Sequence, residues 1–276
     1  MSHLACLTFD FDAISSWLFR GQNTPTAISR GEFGVVASAR ILRLLERHGI
    51  QSTWFIPGHT IDTYPDACKR VVEAGHEVGH HGYLHEPPAL VSRDEEEAIL
   101  ERGIECISRL TGKPPIGYRS PSWDLSPHTV DLLLAHGFVY DSSMMAHDHQ
   151  PYLARRGDVM EKDRTVFGEP TRLLEIPVSW TLDDFPHFEY RRFQDGTLQE
   201  GLKNANDVLE NFVDDFRYMA QTEEDGVLTY TFHPQVVGRG HRMLMLERLI
   251  EELKELGAEF VRMDVAAGRF AQASSV

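Results

Sequence analysis

The sequence predicts an α/β protein whose strands lie inside a ring of helices, a (β/α) barrel that is distorted or incomplete. Short apolar runs with strand character alternate with helix-like segments seven or eight times along the 276 residues. This alternation is typical of parallel strands covered by helices. A doubly wound open sheet is the alternative, but the chain contains no GxGxxG or GxxxxGK[ST] motif, the usual phosphate fingerprints of that fold.

Each element of the first half follows from a local pattern. Residues 13–33 are rich in Gly, Ser and Thr and are predicted to be irregular. Helical spacing or a start signal, followed by a glycine, predicts helices over 35–48, 65–74 and 93–110. Short apolar runs predict strands at residues 4–9, 52–56, 76–79 and 116–118.

The second half continues the alternation but contains two long irregular stretches, residues 142–171 and 181–196. Loops of this length inside a compact domain are usually functional or mobile. Helices are predicted over 126–136, 202–220 and 243–256. Strands are predicted at residues 138–140, 173–178, 227–232 and 259–263.

Composition limits the class of protein. The length and the 42% hydrophobic content predict one globular domain over residues 1–276. A formal net charge of −15 argues against nucleic acid or an anionic membrane as a partner. The three cysteines form no CxxC pair, and the N-terminus lacks the basic and apolar segments of a signal peptide. We therefore expect a cytoplasmic protein with reduced thiols.

Reactive side chains concentrate just after the predicted strands. The carboxyl ends of the strands of a barrel meet at one rim, where catalytic groups sit, whereas chance would scatter reactive residues over both rims. This clustering predicts an enzyme. The residues that follow strands are Asp10, Asp12, His80, His81, His85, Arg119, Asp141, Trp180, Asp183, Asp184 and His233.

The segment at residues 79–86, GHHGYLHE, contains three histidines within six positions. Neutral imidazole is the commonest protein ligand for metals. The four-residue offset between His81 and His85 brings two rings to one ion if the chain turns there. Pro87 and Pro88 exclude a long helix, so the segment is predicted to be a loop or a tight turn. Solvated loop histidines are the alternative, and a carboxylate from another loop would favour a metal site.

One carboxylate and two imidazoles form an open site for Zn²⁺, or for Fe, Mn, Co or Ni. Such a site can lower the pKa of bound water to roughly 7. Asp10 and Asp12 lie two positions apart beyond the first strand, so one can ligate while the other accepts a proton. Arg119 is suited to hold the second carboxylate ionised. His233 could protonate a leaving amine.

Four motifs in order resemble those of the polysaccharide deacetylase family, carbohydrate esterase family 4. They are TFDFD at residues 8–12, the pair His81 and His85, RSPSW at 119–123 and TFHP at 231–234. The resemblance covers roughly residues 4–260. It implies a distorted (β/α)7-type barrel, one divalent metal ion with Zn²⁺ expected first, and hydrolysis of acetamido groups.

The resemblance also implies a role for each matched residue. Asp10 would be the general base, and Arg119 would orient it. Asp12, His81 and His85 would bind the metal.

His233 would be the general acid, tuned by a carboxylate for which Asp183 and Asp184 are both candidates. Four further residues are expected to line the substrate pocket: Trp123, Trp180, His80 and Tyr83.

Two departures from the family pattern leave the substrate open. Phe11 separates the two aspartates, which are usually adjacent, and Gly82 replaces the usual Ser or Thr. These features, with the segment SRGEFG at residues 29–34, are similar to a branch without leader peptides. That branch includes peptidoglycan deacetylases, cyclic imide hydrolases and a ureide-opening allantoinase, and its subunits commonly form homo-oligomers. The substrate is therefore an acetylated sugar or a small cyclic imide or ureide, and the long loops favour a restricted pocket.

Two functions of other classes remain as alternatives. An Fe(II) redox enzyme could use the same ligand set, but such sites usually lie in β-rich folds. A non-catalytic carbohydrate- or metabolite-binding protein would not need the proton-handling residues Asp10, Arg119 and His233. His147 and His149 flank Asp148 in a predicted loop, where a solvated loop is favoured over a second metal site.

Overall fold

In a computed structural model of the protein, which describes residues 3–192 and 198–273, a curved sheet is covered by helices. The strands are β1 His3–Asp10, β2 Thr53–Ile56, β3 Glu77–His80, β4 Gly117–Tyr118, β5 Tyr140–Asp141, β6 Tyr152–Arg156, β7 Val159–Met160, β8 Thr165–Val166, β9 Glu169–Glu175, β10 Arg191–Arg192, β11 Leu198–Gln199, β12 Gly226–Phe232 and β13 Glu259–Phe260. The α-helices are α1 Ser15–Phe19, α2 Pro25–His48, α3 Gly58–Thr63, α4 Pro65–Glu73, α5 Arg93–Thr111, α6 Thr129–Ala135, α7 Asp184–Phe188, α8 Ala205–Thr222, α9 Pro234–Val237, α10 Gly240–Glu255 and α11 Met263–Ala273. Short 3₁₀ turns cover Pro88–Leu90, Pro121–Trp123 and Trp180–Leu182.

The main sheet has the order β12-β1-β2-β3-β4-β5-β9-β6. The first seven of these strands pair in parallel, β6 pairs with β9 in antiparallel fashion, and β13 adds to the start of β1. In the described chain, the first strand in this order, β12, is not paired with the strands at the other end. Within the described residues, only an isolated parallel bridge joins Thr231 of β12 to Asp183 in the segment after β9. The prediction of a distorted (β/α)7-type barrel is therefore confirmed.

The apolar core lies between the strands and the helices outside them. Leu7 and Phe9 of β1 are buried in one cluster with Ile41 of α2, Phe212 of α8 and Leu246 of α10. Burying a side chain of this size contributes roughly 1.5–3 kcal/mol, so the helices are held mainly by these faces. The core fixes the sheet and thereby the loops at its carboxyl edge.

The first helices begin earlier than the sequence predicts. Residues 13–33 are irregular only in part, because α1 and the first nine residues of α2 lie there. Thr24 caps α2 by accepting a hydrogen bond from the backbone N–H of Ala27, and Pro25 occupies its first turn. Gly31 lowered the helical signal, but it is needed because a Cβ there would lie 2.5 Å from the carbonyl oxygen of Ala13.

The predicted irregular stretch at 142–171 is also wrong in part. It contains β6, the β7–β8 hairpin and the start of β9, all paired in antiparallel fashion. The strands of the hairpin have only two residues each and expose both, so they lack the half-buried alternation from which strands are predicted. Residues 193–196 of the second predicted loop lie outside the described residues.

Several other elements were not predicted. α3 precedes α4, and α11 occupies the end of the described chain, beginning where the last strand was expected to end.

Within residues 3–192 and 198–273, no helix combines the length and the apolar character that crossing a bilayer requires.

Candidate active site

A cavity of about 240 Å³ lies at the carboxyl edge of the parallel strands. Its walls come from loops that follow four strands, β1, β3, β4 and β12, and from the segment after β9. These loops are distant in sequence and meet because parallel strands end at one edge. Of the predicted site residues, those lining it are Asp10, Asp12, His81, His85, Trp123, Trp180, Asp183 and His233.

The spacing of the two aspartates follows from the strand that precedes them. Asp10 ends β1, and Phe11 still donates a backbone hydrogen bond to Phe55 O, 2.9 Å away. Phe11 is fully buried against the ring of Trp54, at 5.8 Å between ring centroids. Since side chains alternate along extended backbone, Asp10 and Asp12 both turn to the cavity. The apolar residue between them anchors the pair to the core.

Asp12, His81 and His85 present their donor atoms to one point. His81 Nε2 lies 3.5 Å from Asp12 Oδ1, and His85 Nε2 lies 3.5 Å from Asp12 Oδ2. Two ligand atoms about 2.0–2.2 Å from a tetrahedral ion stand ~3.3–3.6 Å apart, which matches these separations. Asp12 Oδ1 and His81 Nε2 are buried and have no hydrogen-bond partner among the described residues. The set therefore fits a divalent cation.

The shifted pKa values of Asp12 and His85 also favour the binding of a cation. Burial raises the pKa of Asp12 and lowers the pKa of His85 well below its ordinary value. An isolated buried carboxylate is unfavourable unless a positive charge compensates it. A neutral imidazole leaves a ring nitrogen free to ligate. A bound cation would therefore compensate the buried charge of Asp12, and the neutral ring of His85 could bind it.

The histidine loop is shaped by its neighbours. His81 Nδ1 donates to the carbonyl oxygen of Arg119, 2.7 Å away, which leaves Nε2 as the ligating nitrogen. His85 has a left-handed backbone with φ of 66°. Gly82 has φ of 71°, and a Cβ there would lie 3.0 Å from Pro121. A Ser or Thr at this position would be strained, which explains one departure from the family pattern.

Asp10 is held by Arg119, which is fully buried. Arg119 Nη1 donates to Asp10 Oδ1 at 2.9 Å and to Thr8 Oγ1 at 2.7 Å. Its Nε and Nη2 donate to the backbone carbonyl and the hydroxyl of Ser142. Burial raises the pKa of Asp10, but the charge of Arg119, with smaller contributions from His81 and His233, brings it below the ordinary value. Asp10 is therefore ionised at neutral pH.

His233, unlike His81 and His85, has two carboxylates beside its Nδ1 atom. Its Nδ1 donates to Asp184 Oδ1 at 2.9 Å, and the same oxygen accepts its backbone N–H at 3.0 Å. Asp183 Oδ1 is farther, at 3.5 Å from Nδ1, and caps α7 by accepting the N–H of Phe185. Burial lowers the pKa of His233, but Asp183 and Asp184 outweigh it and raise the pKa to about 10.

Two tryptophans form a wall of the cavity. Trp123 and Trp180 stack with 4.2 Å between ring centroids. Trp123 is buried beneath, while Trp180 is 45% exposed. Ser122 and Trp123 both have positive φ, 60° and 54°, a costly conformation for residues other than glycine. Strain of this kind often marks a functional loop.

The structure places two residues that were expected in the pocket, His80 and Tyr83, outside the cavity. His80 lies in the core, where Nε2 bonds to the carbonyl oxygen of Leu100 and its ring stacks on Tyr118. Tyr83 packs beside Gly58, and its hydroxyl bonds to Asp62 and Arg102. Neither lines the cavity. Because adjacent strand residues alternate, His80 must point away from the side that His81 faces.

Asp141, at the end of β5, is buried behind the site rather than in it. Its Oδ1 accepts a hydrogen bond from Ser143, whose backbone N–H donates to Glu175.

His149 is buried and His147 is exposed, and neither belongs to a candidate metal cluster in the described part of the chain.

Four lining residues were not predicted: Arg20, Ser122, Phe185 and Pro186. Ser122 lies inside a motif that was recognised, so its position could have suggested a role. Arg20 lies in a segment predicted to be irregular, and no motif marks it. Only the position of α1 in the fold reveals that this side chain reaches the cavity.

Comparison with known proteins identifies relatives that align with most of this chain. A profile described as polysaccharide deacetylase matches residues 23–140. The peptidoglycan deacetylase of Helicobacter pylori is 37% identical over 276 residues, covering 95% of this chain and 94% of that protein. A peptidoglycan deacetylase-like protein of Gibberella zeae is 31% identical, covering 96% of this chain and 85% of that protein.

Solved structures show the same fold. One from Mycobacterium smegmatis superposes with a TM-score of 0.83 at 31% identity, covering all of this chain and 92% of the other. The Puue allantoinase has a TM-score of 0.76 at 23% identity, covering 98% of this chain and 89% of the other, and shows a shared fold only. These likenesses extend over nearly the entire length of each protein.

Proposed function

The chain belongs to the polysaccharide deacetylase family, and from this premise we propose that it removes N-acetyl groups from an acetylated amino sugar of the peptidoglycan type. The observation that carries the proposal is the pairing of two opposed proton-handling groups in one cavity. Asp10 is ionised beside Arg119, and His233 is protonated beside Asp184. Both adjoin the three-residue set of Asp12, His81 and His85.

Asp12, His81 and His85 would hold the metal, for which we propose Zn²⁺. A bound divalent cation supplies Lewis acidity, which polarises the amide carbonyl and makes water more acidic. The carboxylate and the two ring nitrogens are ligands that zinc accepts. Analysis of the metal content of the purified protein tests its identity.

Asp10 is the proposed acceptor of the proton of the attacking water. Arg119 occupies Oδ1 and leaves Oδ2 on the cavity side, 3.8 Å from His81 Nε2. Fixing one oxygen in this way restricts the rotation of the carboxylate. The second oxygen is then available to a water beside the cation set, which is the position that a general base requires.

His233 is the proposed donor of the proton to the leaving nitrogen. Because Nδ1 is bound to Asp184, the remaining proton lies on Nε2, and the ring lines the cavity. The backbone of Ser122, turned by its positive φ, is a candidate to donate a hydrogen bond to the developing oxyanion. Asp10 thus acts on the water that attacks the carbonyl carbon, and His233 acts on the nitrogen that leaves it.

The size of the cavity supports a second candidate within this chemistry, the ring opening of a small cyclic imide or ureide. About 240 Å³ is below the range of roughly 300–1,000 Å³ of typical ligand pockets. The stacked tryptophans limit it further on one side. The cavity therefore accepts an acetamido group with little more than one ring, and a long glycan would have to lie across its mouth.

One experiment separates the candidates. Zinc-loaded protein is incubated with muramidase-digested peptidoglycan and, in parallel, with succinimide and allantoin. We expect acetate release from the glycan fragments, abolished in Asp10→Asn. Ring opening without acetate release would overturn deacetylation in favour of the second candidate. No turnover of any of these amides would overturn both.

The cytoplasmic location and the homo-oligomeric state stay predictions of the sequence and of the resemblance. Cell fractionation tests the first, and light scattering of the purified chain tests the second.

A further inference from the structure

Arg20 places a positive charge on the wall of the cavity, although it lies outside the four family motifs. It follows α1 directly, is half-buried and lines the same cavity as Asp12 and His85. Its Nη1 donates to the carbonyl oxygen of Ser16, in the preceding helix α1, at 3.2 Å. Within the described part of the chain, this is the hydrogen bond that its guanidinium makes, and no carboxylate forms an ion pair with it. Most of its five N–H donors are left for another group.

The helix that carries Arg20 is firmly anchored. Ser15 Oγ donates to the carbonyl oxygen of Asp12 at 2.7 Å, and Trp17 is almost completely buried. The guanidinium of Arg30 lies 4.7 Å from the centroid of the Trp17 ring and also bonds to Glu189. Because the helix is fixed on both sides, Arg20 is held beside the cavity at little further entropic cost.

The other charges of the cavity already have assigned partners. Asp10 is paired with Arg119, and Asp184 with His233. Asp12 belongs to the cation set, and its charge is felt by Arg20 without a direct bond. Burial lowers the pKa of Arg20, and Asp12 only partly offsets this. Arg20 is therefore a partly dehydrated cation that forms no ion pair with a carboxylate in the described ranges of the chain.

We propose that Arg20 is a carboxylate-binding subsite, so that the preferred substrate bears a carboxylate within one ring of the scissile amide. A planar carboxylate accepts two parallel N–H bonds from a guanidinium, a match that a sugar hydroxyl or a single carbonyl lacks. Arg20 lies close enough to Asp12 and His85 for its charge to act on both, in the cavity that all three line. This inference rests on the proposed amide hydrolysis, because it concerns the substrate of that site.

The carboxylate could come from two sources, and matched pairs of probes distinguish them. N-acetylmuramic acid differs from N-acetylglucosamine by a lactyl ether that carries a carboxylate. Hydantoin-5-acetate and 5-methylhydantoin form the corresponding pair of small rings. For each pair, kcat/KM is measured with zinc-loaded wild type, Arg20→Gln, Arg20→Lys and Arg43→Gln, where Arg43 is exposed and distant from the cavity.

We expect wild type to prefer the carboxylate member of one pair, and that pair identifies the source. Arg20→Gln should lower the ratio of the two kcat/KM values about 10- to 100-fold, as expected for a lost hydrogen bond between charged groups. Arg20→Lys should give an intermediate ratio, since it keeps the charge but not the fork. Arg43→Gln should leave the ratio at the wild-type value.

An unchanged ratio in Arg20→Gln for both pairs would overturn the proposal. An equal loss for both members, together with weaker zinc binding, would also overturn it and make Arg20 a support of the cation set. Calorimetric binding of each probe to zinc-loaded Asp10→Asn protein supplies a readout without turnover. If wild type hydrolyses no amide, the proposed function fails, while Arg20-dependent binding of N-acetylmuramic acid or hydantoin-5-acetate still decides the subsite.

Discussion

Two buried clusters of the same residue types adjoin one cavity, yet their surroundings prepare them for different tasks. The cation cluster is Asp12, His81 and His85, and the proton cluster is Asp183, Asp184 and His233. In each, the three donor atoms lie within 4.8 Å of one another. By residue type and distance alone, either could hold a metal.

The partner of each imidazole distinguishes them. In the cation cluster, His81 donates Nδ1–H to a neutral backbone carbonyl and directs Nε2 at the carboxylate. In the proton cluster, Nδ1 of His233 points at two carboxylates, which raise its pKa to about 10. A protonated imidazole has no lone pair for a metal. The ratio of carboxylates to imidazoles, one to two against two to one, therefore separates a ligand set from a proton donor.

The largest test of this comparison is Asp12→Asn. We expect loss of the bound divalent cation and a fall in kcat/KM of at least about 10³-fold, because Lewis-acid stabilisation is worth several kcal/mol. Metal content and acetate release are measured on the same preparation. The exposed Asp163→Asn serves as the control. Full cation content in Asp12→Asn would show that the ion is bound elsewhere.

His233→Asn tests the other cluster. Removing a general acid should lower kcat by about 10²–10⁴-fold while the cation content stays at the wild-type level. The same metal analysis is used, so the two variants are directly comparable. If His233→Asn also lost the cation, the two clusters would have to be regarded as one site.

Asp184→Asn should have a smaller effect, about 10- to 100-fold on kcat/KM at high pH. Asp183 raises the pKa of His233 through its charge, and Asp184 raises it through both a hydrogen bond and its charge. Weakening the contribution of Asp184 therefore lowers that pKa and moves the alkaline limb of the pH profile to lower pH. The profile of kcat/KM measures the shift. An alkaline limb at the wild-type position would contradict the role of Asp184.

The same pair has a consequence for stability. The pKa of His233 is raised in the fold, so the ion pair stabilises fully below the ordinary value of about 6.5, and this stabilisation is lost as the pH rises through about 10. Urea unfolding of wild type and Asp184→Asn at pH 6.5 and pH 10 should show a difference that shrinks at the higher pH.

Asp183→Asn should have the smallest effect, below about tenfold. Its oxygen lies 3.5 Å from His233 Nδ1, against 2.9 Å for Asp184, and asparagine still caps α7. The alkaline limb should move less than in Asp184→Asn. The opposite ranking would identify Asp183 as the main partner of His233.

The sequence predicted the fold well where local patterns repeat. The family, the hydrolase class and the distorted barrel are confirmed. The strand pattern is clearest in β1, β2 and β12, which are almost completely buried, and the motifs stand at strand ends. The start of α2 and the strands within 142–171 were wrong, since glycines required by close packing weaken a helical pattern and two-residue strands scarcely form one.

By itself, the sequence determined which residues follow the parallel strands and therefore which could meet at one edge. It could not decide between Asp183 and Asp184, exclude His80 from the cavity or bring Arg20 to it. Those outcomes depend on which way each side chain faces and which atom lies within about 3 Å of another, and contacts between loops far apart in the chain set both. Order along the chain supplied the reactive groups, and only tertiary packing assigned each one its partner.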